Sequence, residues 1–222
     1  MKSLYILCEG ERDEWFYERV CERVTGTTFL TPADFRLRRG SNWKTALAAA
    51  RLLLARVRHW QGQQDVAVVI AIDNDRSPGH PGAKPPQPAF HETDTRKPSR
   101  HLKLASLVKQ SLGENRAQWP VDVALAVPVE MLESWLLLLW NPTRGVLPHF
   151  AKSTQQSARL YHGGNAPLQL KDLCASESEA AGIDLAEFHW QAAGKDLEAA
   201  ATVSASFKMF LDDLKQWRPS ID

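Results

Sequence analysis

The feature that most constrains the fold is an uninterrupted apolar run, Val66 to Ile72, that leads directly into two carboxylates, Asp73 and Asp75. A short run rich in β-branched residues, without alternation of polar and apolar positions, is typical of a strand buried on both faces of a parallel sheet. Such a strand needs helices on both faces, so the sequence predicts an α/β fold. Ligands of open α/β sheets bind beyond the carboxyl ends of the strands, which is where these two acids fall.

Asp73 and Asp75 admit two interpretations. Two crowded carboxylates repel each other, and a bound Mg²⁺-type cation relieves that repulsion. Asp and Asn are also ordinary loop residues, so a polar turn is the alternative. Their position after a strand leaves both interpretations open.

The chain begins with a similar arrangement. A second strand candidate, Ser3 to Cys8, ends in Glu9 and Gly10, and apolar residues then recur at helical spacing from Glu11 to Val24. The opening is therefore predicted to be a strand, a tight turn and a helix. Glu9 would lie at the carboxyl end of its strand, as Asp73 does after the later strand.

The elements between these two strands predict the sheet topology. Phe35 to Arg39 is a weak strand candidate, and Trp43 to Trp60 is a helix rich in Ala and Leu. The order β-α-β-α-β implies a parallel sheet with right-handed crossovers. If Glu9 shares a ligand with Asp73 and Asp75, the first and third strands are neighbours and the second lies outside the first.

The segment from Arg76 to Pro98 is rich in Pro and Gly and is too long for an ordinary connector. It is interpreted either as a functional loop or as a disordered insertion. A basic amphipathic helix from Ser99 to Leu112 and a fourth strand from Val121 to Val127 follow. These elements complete a predicted sheet of about four strands flanked by helices, of the Toprim/Rossmann-like class.

The helix predicted from Val129 to Trp140 is apolar on most sides, and Glu133 belongs to its one polar stripe. A carboxylate in such a helix is costly without a partner, which makes Glu133 either a neighbour of a metal or part of a structural salt bridge. Both alternatives stay open.

The remaining sequence predicts a helical C-terminal extension. Leu168 to Ala175 and Ser204 to Trp217 have helical patterns, and Asp212 and Asp213 are interpreted as a solvated face. We therefore predict two domains, an α/β domain over residues 1–141 and a helical extension over residues 142–222 that packs on it.

Charge is unevenly distributed along the chain. The net charge of +1 gives no overall signal for nucleic acid, but Phe35 to Gln64 and Thr95 to Leu112 contain no acid. These blocks and their surroundings supply the candidate phosphate contacts, which are Arg36, Arg38, Arg39, Lys44, Arg76, Arg100 and Lys103. An ordinary solvated helix face is the alternative interpretation of both blocks.

The cysteines and the N-terminal sequence bear on location. Cys8, Cys21 and Cys174 lack the CxxC spacing of a zinc site and are interpreted as buried thiols in a reducing compartment. Charged residues occur too early for a signal peptide, and no apolar stretch is long enough for a membrane span. We expect a cytoplasmic protein without membrane contacts.

Three motifs, taken in order, resemble those of Toprim-fold proteins. They are Leu-Cys-Glu9-Gly10-x-x-Asp13 after the first strand, Asp73-x-Asp75 after the third, and Val-Pro128-x-x-Met-Leu-Glu133-x-Trp135 after the fourth. The third motif resembles a branch of small Toprim-like proteins related to OLD-family nucleases, which often occur beside ATPases in bacterial defence loci. The resemblance covers about residues 1–141, and Ser204 to Phe207 resembles the tail of the same branch.

The resemblance implies a nuclease that uses Mg²⁺ or Mn²⁺ to cleave phosphodiester bonds, with DNA a more suitable substrate than RNA. By matching positions, Glu9 would be a metal ligand or general base, and Asp73 and Asp75 would hold the metal. Asp13 would support them, and Glu133 is a further catalytic candidate. Oxygen ligands of this kind suit Mg²⁺. Because the chain lacks a GxxxxGK[ST] motif, an ATPase would be a separate partner chain.

Two other hypotheses compete with the nuclease. Phosphatases of the haloacid-dehalogenase kind also use Asp-x-Asp, but they carry it after their first strand, whereas here it follows the third. A catalytically silent module that recruits nucleic acid or an ATPase is the stronger alternative, because some Toprim domains serve mainly in binding or assembly.

Overall fold

The central strand of the fold is the apolar run that opens the sequence argument. In the computed structural model, which describes residues 2–31, 43–59, 65–73, 100–128, 131–140 and 166–218, this strand is β3 (Val66–Ala71), and all of its residues are buried. Burial of both faces of β3 explains why its sequence does not alternate between polar and apolar residues.

The sheet contains three further strands, β1 (Lys2–Leu7), β2 (Phe29–Leu30) and β4 (Asp122–Ala126). All pairs are parallel and the strand order is β2-β1-β3-β4. The predicted adjacency of the first and third strands is therefore confirmed. The second strand of this sheet is Phe29–Leu30, and the stretch predicted as a strand, Phe35 to Arg39, lies outside the described residues.

Helices connect the strands, and the predicted α/β class is confirmed. α1 (Glu11–Thr25) leads from β1 to β2, α2 (Trp43–His59) precedes β3, and α3 (Arg100–Leu112) precedes β4. α1 ends at Gly26, whose φ of 67° is a conformation that favours glycine. α2 and α3 contact each other, as expected where right-handed crossovers bring both helices to one face of the sheet and α1 to the other.

The C-terminal region is helical, as predicted. Its elements follow α4 (Leu132–Trp140) and are α5 (Ala166–Ala180), α6 (Leu185–Ala193), α7 (Leu197–Val203) and α8 (Ala205–Leu214). The helical patterns of the sequence predicted α5 and α8 but not α6 and α7. Every helix in the described parts of the chain falls short of the length and apolarity that crossing a membrane requires.

The chain forms two compact units. Unit 1 consists of Met1–Ile72, Pro98–Ala126 and Phe210–Asp222, and unit 2 consists of Asp73–Lys97 and Val127–Met209. Unit 1 contains the sheet and α1 to α3, whereas unit 2 contains α4 to α7. The predicted domain boundary at residue 141 stays a prediction.

The core of unit 2 forms around an aromatic residue of α4. Trp135 is fully buried, packs edge-on against Phe207 with ring centroids 5.0 Å apart, and donates a hydrogen bond from Nε1 to Ser206 Oγ at 3.1 Å. A buried indole N–H needs such an acceptor, so Ser206 stabilises this packing.

In unit 1, Asp213 is only 19% exposed at its side chain, and the interpretation of this residue as part of a solvated face is wrong. Its Oδ1 pairs with Arg116 Nη1 at 2.5 Å, and its Oδ2 accepts a hydrogen bond from Leu125 N at 3.0 Å. Arg116 Nη2 also donates to Val123 O at 2.9 Å. Because β4 is an edge strand among the described residues, these contacts satisfy backbone groups that would otherwise be exposed there.

Candidate functional site

The carboxyl end of β1 is built from Cys8, Glu9 and Gly10. Cys8 is buried and its Sγ donates a hydrogen bond to Gly10 O at 3.3 Å, whereas Glu9 is exposed to solvent. Gly10 precedes α1 with extended backbone angles, and its carbonyl accepts the bond from Glu14 N at 3.1 Å that begins the helix. This turn places Glu9, which is exposed, between a buried strand and a helix N-terminus.

Asp13 lies next to this turn. A Cβ added to Gly10 would be 3.5 Å from Asp13 Oδ2, so the carboxylate of Asp13 lies against the Cα of Gly10. The first turn of α1 also contains Glu11 and Glu14. Negative side chains at this position are stabilised by the helix dipole, which gives Asp13 a structural role whether or not it supports a metal.

The carboxyl end of β3 continues its pairing with β4 for one residue beyond the strand. Ile72 N donates to Ala126 O at 2.9 Å, and Ile72 is buried. The next residue, Asp73, is half-buried. The order of residues is thus a buried strand, a last paired residue and then a carboxylate, as the sequence predicted.

In unit 2, Asp73 is joined to the start of α4. Its Oδ1 accepts a hydrogen bond from Leu132 N at 3.1 Å, although the two residues are 59 positions apart. The first N–H groups of a helix have no partner within the helix, so Asp73 caps α4 from a distant part of the chain. This bond fixes the orientation of the carboxylate through one of its two oxygens.

Glu133 directly follows Leu132, so the hydrogen bond from Leu132 N to Asp73 brings two of the predicted motifs together. Glu133 is half-buried, and its backbone carbonyl lies 3.8 Å from the donating Sγ of Cys174 on α5. The sequence argument named Asp73 and Glu133 from separate motifs, and the structure joins these motifs within unit 2 through one backbone amide.

Other predicted residues are distributed as follows. Lys44 and Lys103 are exposed on α2 and α3 respectively, and Arg100 is the first residue of α3. The residues that lie outside the described parts of the chain are Asp75, Arg36, Arg38, Arg39 and Arg76.

Carboxylates are suitable ligands for Mg²⁺ or Mn²⁺, and Asp73 is oriented by a backbone donor in the way that supporting hydrogen bonds orient metal ligands. Among the residues that the structure describes, no three His, Cys, Asp or Glu side chains are grouped to hold a metal ion. The predicted ligand set includes Asp75, which lies outside those residues, so the metal site stays a prediction.

A cleft that was not predicted from the sequence lies between α2 and α3 in unit 1. It has a volume of about 420 Å³ and is lined by Arg51, Leu54, Ala55, Arg58, His59 and Ser111. Arg51 and Arg58 are seven residues apart, which places them on the same face of α2. The sequence signal for this feature was the seven-residue spacing of Arg51 and Arg58, which predicts a basic face on α2. We call this feature the basic cleft.

Burial also perturbs two titratable groups of unit 1. Burial raises the pKa of the Cys21 thiol well above its ordinary value, and the nearby carboxylates of Glu18 and Glu22 raise it further. Burial lowers the pKa of His101 below its ordinary value, an effect that the Asp213 carboxylate opposes. The thiol of Cys21 is therefore kept protonated, as expected for a buried structural cysteine.

The fold and these contacts define an α/β protein with a four-strand parallel sheet and acids after two adjacent strands. Comparisons of the chain with protein-family models, curated proteins and solved structures give no match.

Proposed function

We propose that this chain is a Mg²⁺- or Mn²⁺-dependent nuclease of the Toprim type, which its motifs resemble. The observation that supports this most strongly is the strand order, in which β1 and β3 are adjacent and parallel and each is followed by a carboxylate. Parallel neighbours end at the same edge of a sheet, and this edge is where α/β proteins bind ligands.

In this proposal Glu9, Asp73 and Asp75 would hold the metal, with Asp13 as a supporting ligand and Glu133 as a further catalytic candidate. The bound ion would neutralise the phosphate and lower the pKa of an attacking water. Glu9, which is exposed, would accept the proton of that water, and the hydrogen bond from Leu132 N would hold Asp73 in one orientation. Lys44, Lys103 and the other basic residues would contact phosphates.

The proposed setting follows the same resemblance. The chain would act in the cytoplasm, on DNA in preference to RNA, in bacterial defence or DNA processing. A separate ATPase subunit would be its partner, because this chain carries no ATP-binding motif of the GxxxxGK[ST] kind.

One specific observation favours the silent binding module as the second candidate. Asp73 caps α4 through Leu132 N, and Asp13 lies in the first turn of α1, so both acids have structural roles that need no metal. A binding module would retain these acids for stability alone. In the nuclease the negative charge of Asp73 would hold the metal, whereas in the binding module Asp73 would serve stability alone.

The test separates the charge of Asp73 from its capping role. Nicking of supercoiled DNA and degradation of RNA are measured with Mg²⁺ and Mn²⁺ for the natural chain, Glu9→Gln and Asp73→Asn. Asparagine retains an oxygen that accepts from Leu132 N but removes the charge. The matched control is Asp196→Asn, because Asp196 caps α7 by accepting from Ala199 N at 3.0 Å and is exposed.

The nuclease predicts that Glu9→Gln and Asp73→Asn lower cleavage on the order of 100-fold or more with unchanged thermal stability, whereas Asp196→Asn cleaves normally. Cleavage that is equal in all four proteins would contradict the proposed site. Binding of nucleic acid without cleavage in any metal would favour the binding module.

A further inference from the structure

The solvent faces of α2 and α3 have one sign of charge. Neither helix contains an acid. Exposed basic side chains lie along both of them, namely Lys44, Arg51, Arg56, Arg58 and His59 on α2 and Lys103 and Lys109 on α3. The basic cleft lies between these two helices, entirely within unit 1.

The cleft provides donors for an anion. Arg51 and Arg58 each carry five N–H donors, and His59 adds an imidazole. The hydroxyl of Ser111 is already used, because it donates to Leu107 O at 2.8 Å. The floor includes Leu54, which is fully buried, so a bound group would rest on apolar side chains and face guanidinium groups.

The carboxylates at this end of the sheet are paired with other cations. Asp65 and Asp122, which lie at the amino ends of β3 and β4, both pair with Lys2, and Glu114 pairs with Lys109 at 3.2 Å. Within the described residues, no carboxylate pairs with Arg51 or Arg58. A ligand with negative charge would supply the counter-charge that the described carboxylates do not.

A structural explanation accounts for only part of this charge. Cations in the last turn of a helix are stabilised by its dipole, which explains Arg58 and His59 at the end of α2. Arg51 lies two turns earlier, where the dipole gives little stabilisation. Two guanidinium groups that share one concave surface repel each other, and a bound phosphate would relieve that repulsion.

The shape of the basic surface favours a polymer over a small anion. Lys44, Arg51 and Arg58 follow one another at intervals of seven residues, and they form a line of charge on one face of α2, about 21 Å long at the usual helical rise. Helices of parallel sheets run opposite to the strands, so Lys44 lies towards the carboxyl end and Arg58 towards the amino end. A phosphodiester chain presents negative charges along its length, whereas a single small anion would need only the cleft.

We propose that the basic cleft anchors the phosphodiester backbone of nucleic acid at the amino end of the sheet, and that Arg51 and Arg58 contact its phosphates. This inference rests on the proposed function, which supplies the class of polymer. It adds an anchoring site on the face of α2 and α3, away from the strand ends where cleavage is proposed. The ligand would then run along α2 from Arg58 towards Lys44.

The test measures binding without cleavage. Fluorescence anisotropy of a labelled DNA duplex and a labelled single strand is followed in EDTA, over a series of salt concentrations, for the natural chain and for Arg51→Gln/Arg58→Gln. The matched control is Arg23→Gln/Lys215→Gln, which removes two exposed positive charges of unit 1 that lie outside α2 and α3. Thermal unfolding checks that all three proteins remain folded.

The cleft variant is expected to bind roughly tenfold more weakly near 0.1 M salt, with a salt slope lower by about two, because two phosphate contacts are lost. The control is expected to bind like the natural chain. Equal weakening in both variants, unchanged binding in the cleft variant, or binding of phosphatidylserine vesicles but not of DNA would overturn the proposal.

Failure of the anchor and failure of the nuclease give different results. If the natural chain binds DNA, the cleft variant binds weakly and no protein cleaves, the anchor stands and the proposed catalysis is wrong. If cleavage depends on Glu9 while the cleft variant binds normally, the catalysis stands and the anchor is wrong.

Discussion

At the amino end of the sheet in unit 1, Lys2 is buried between the carboxylates of Asp65 and Asp122, whereas at the carboxyl end Glu9 is exposed. The side chain of Lys2 is 1% exposed, and its Nζ lies 2.5 Å from Asp122 Oδ2 and 3.5 Å from Asp65 Oδ1. It also donates to Arg218 O at 3.0 Å, while Arg218 Nε donates to Asp122 Oδ1 at 3.2 Å. These charges neutralise one another and are bonded to the backbone, which is the pattern of a structural network.

The carboxyl end of β1 differs in the exposure of its acid. Glu9 follows a buried strand and precedes the first turn of α1, yet it is exposed. Removing the partner of a buried acid at the amino end costs stability, whereas an exposed acid such as Glu9 is less costly to replace. The comparison therefore separates charges that hold the fold together from a charge to which the proposed function gives a chemical role.

The largest effect on stability is expected at the amino end. Lys2→Met leaves Asp122 with only part of its partner set, and we expect a loss of about 3 kcal/mol in the free energy of unfolding, measured by urea denaturation. Lys109→Met is the control, because its pair with Glu114 is exposed, and it should cost less than about 1 kcal/mol. Equal losses in the two variants would remove the distinction between the network and an ordinary surface pair.

The next effect tests the support of the edge strand. Asp213→Ala removes the ion pair with Arg116 and the acceptor for Leu125 N, and we expect a loss of about 2 kcal/mol. Asp212→Ala is the control, since the neighbouring residue carries the same charge but the bonds to β4 come from Asp213. A similar loss for both substitutions would show that the charge of α8 matters and that its contacts with β4 do not.

A smaller effect is expected at Asp73, where structure and chemistry overlap. Asp73→Ala leaves Leu132 N without its acceptor and should cost about 1 kcal/mol, whereas Asp73→Asn retains an acceptor and should cost less than half of that. Thermal or urea unfolding of the two variants measures the difference. If Asn and Ala are equally destabilising, the capping bond contributes nothing and the carboxylate charge itself stabilises unit 2.

The smallest effect concerns pH. Because burial lowers the pKa of folded His101 below its ordinary value of 6.5, the unfolded chain takes up a proton first as the pH falls. The free energy of unfolding is therefore unaffected by His101 above pH 6.5. It decreases progressively as the pH falls through 6.5 towards the lower pKa of His101 in the folded state. His101→Gln should flatten the pH dependence of unfolding in this window. If the slope of the free energy of unfolding against pH is unchanged in His101→Gln, titratable groups other than His101 determine it.

Local patterns predicted much of this fold. The apolar run of β3 predicted its burial, and the acids after β1 and β3 led to the strand order that the sheet has. β2 contains only Phe29–Leu30, which is too short to produce a periodic pattern. α6 and α7 were not predicted, although Asp184 and Asp196, which cap them, are N-cap residues that the sequence displays.

Contacts between distant residues were beyond prediction from one sequence. Asp213 reaches Leu125 across 88 positions, Lys2 reaches Asp122 across 120, and Asp73 reaches Leu132 across 59. No local pattern specifies such pairs, because they depend on how the elements pack. The candidate acids could be named from their positions after strands, but their structural roles could not.

Residue-resolved binding of Mn²⁺ tests the contrast between the two ends most directly. Paramagnetic broadening of backbone amide signals is measured for the natural chain and Glu9→Gln as Mn²⁺ is added. We expect broadening at Glu9, Gly10 and Ile72 that is lost in Glu9→Gln, with no broadening at Asp65 or Asp122. Broadening centred on the amino end, or the same broadening in both proteins, would contradict the assignment of the carboxyl end as the site of chemistry.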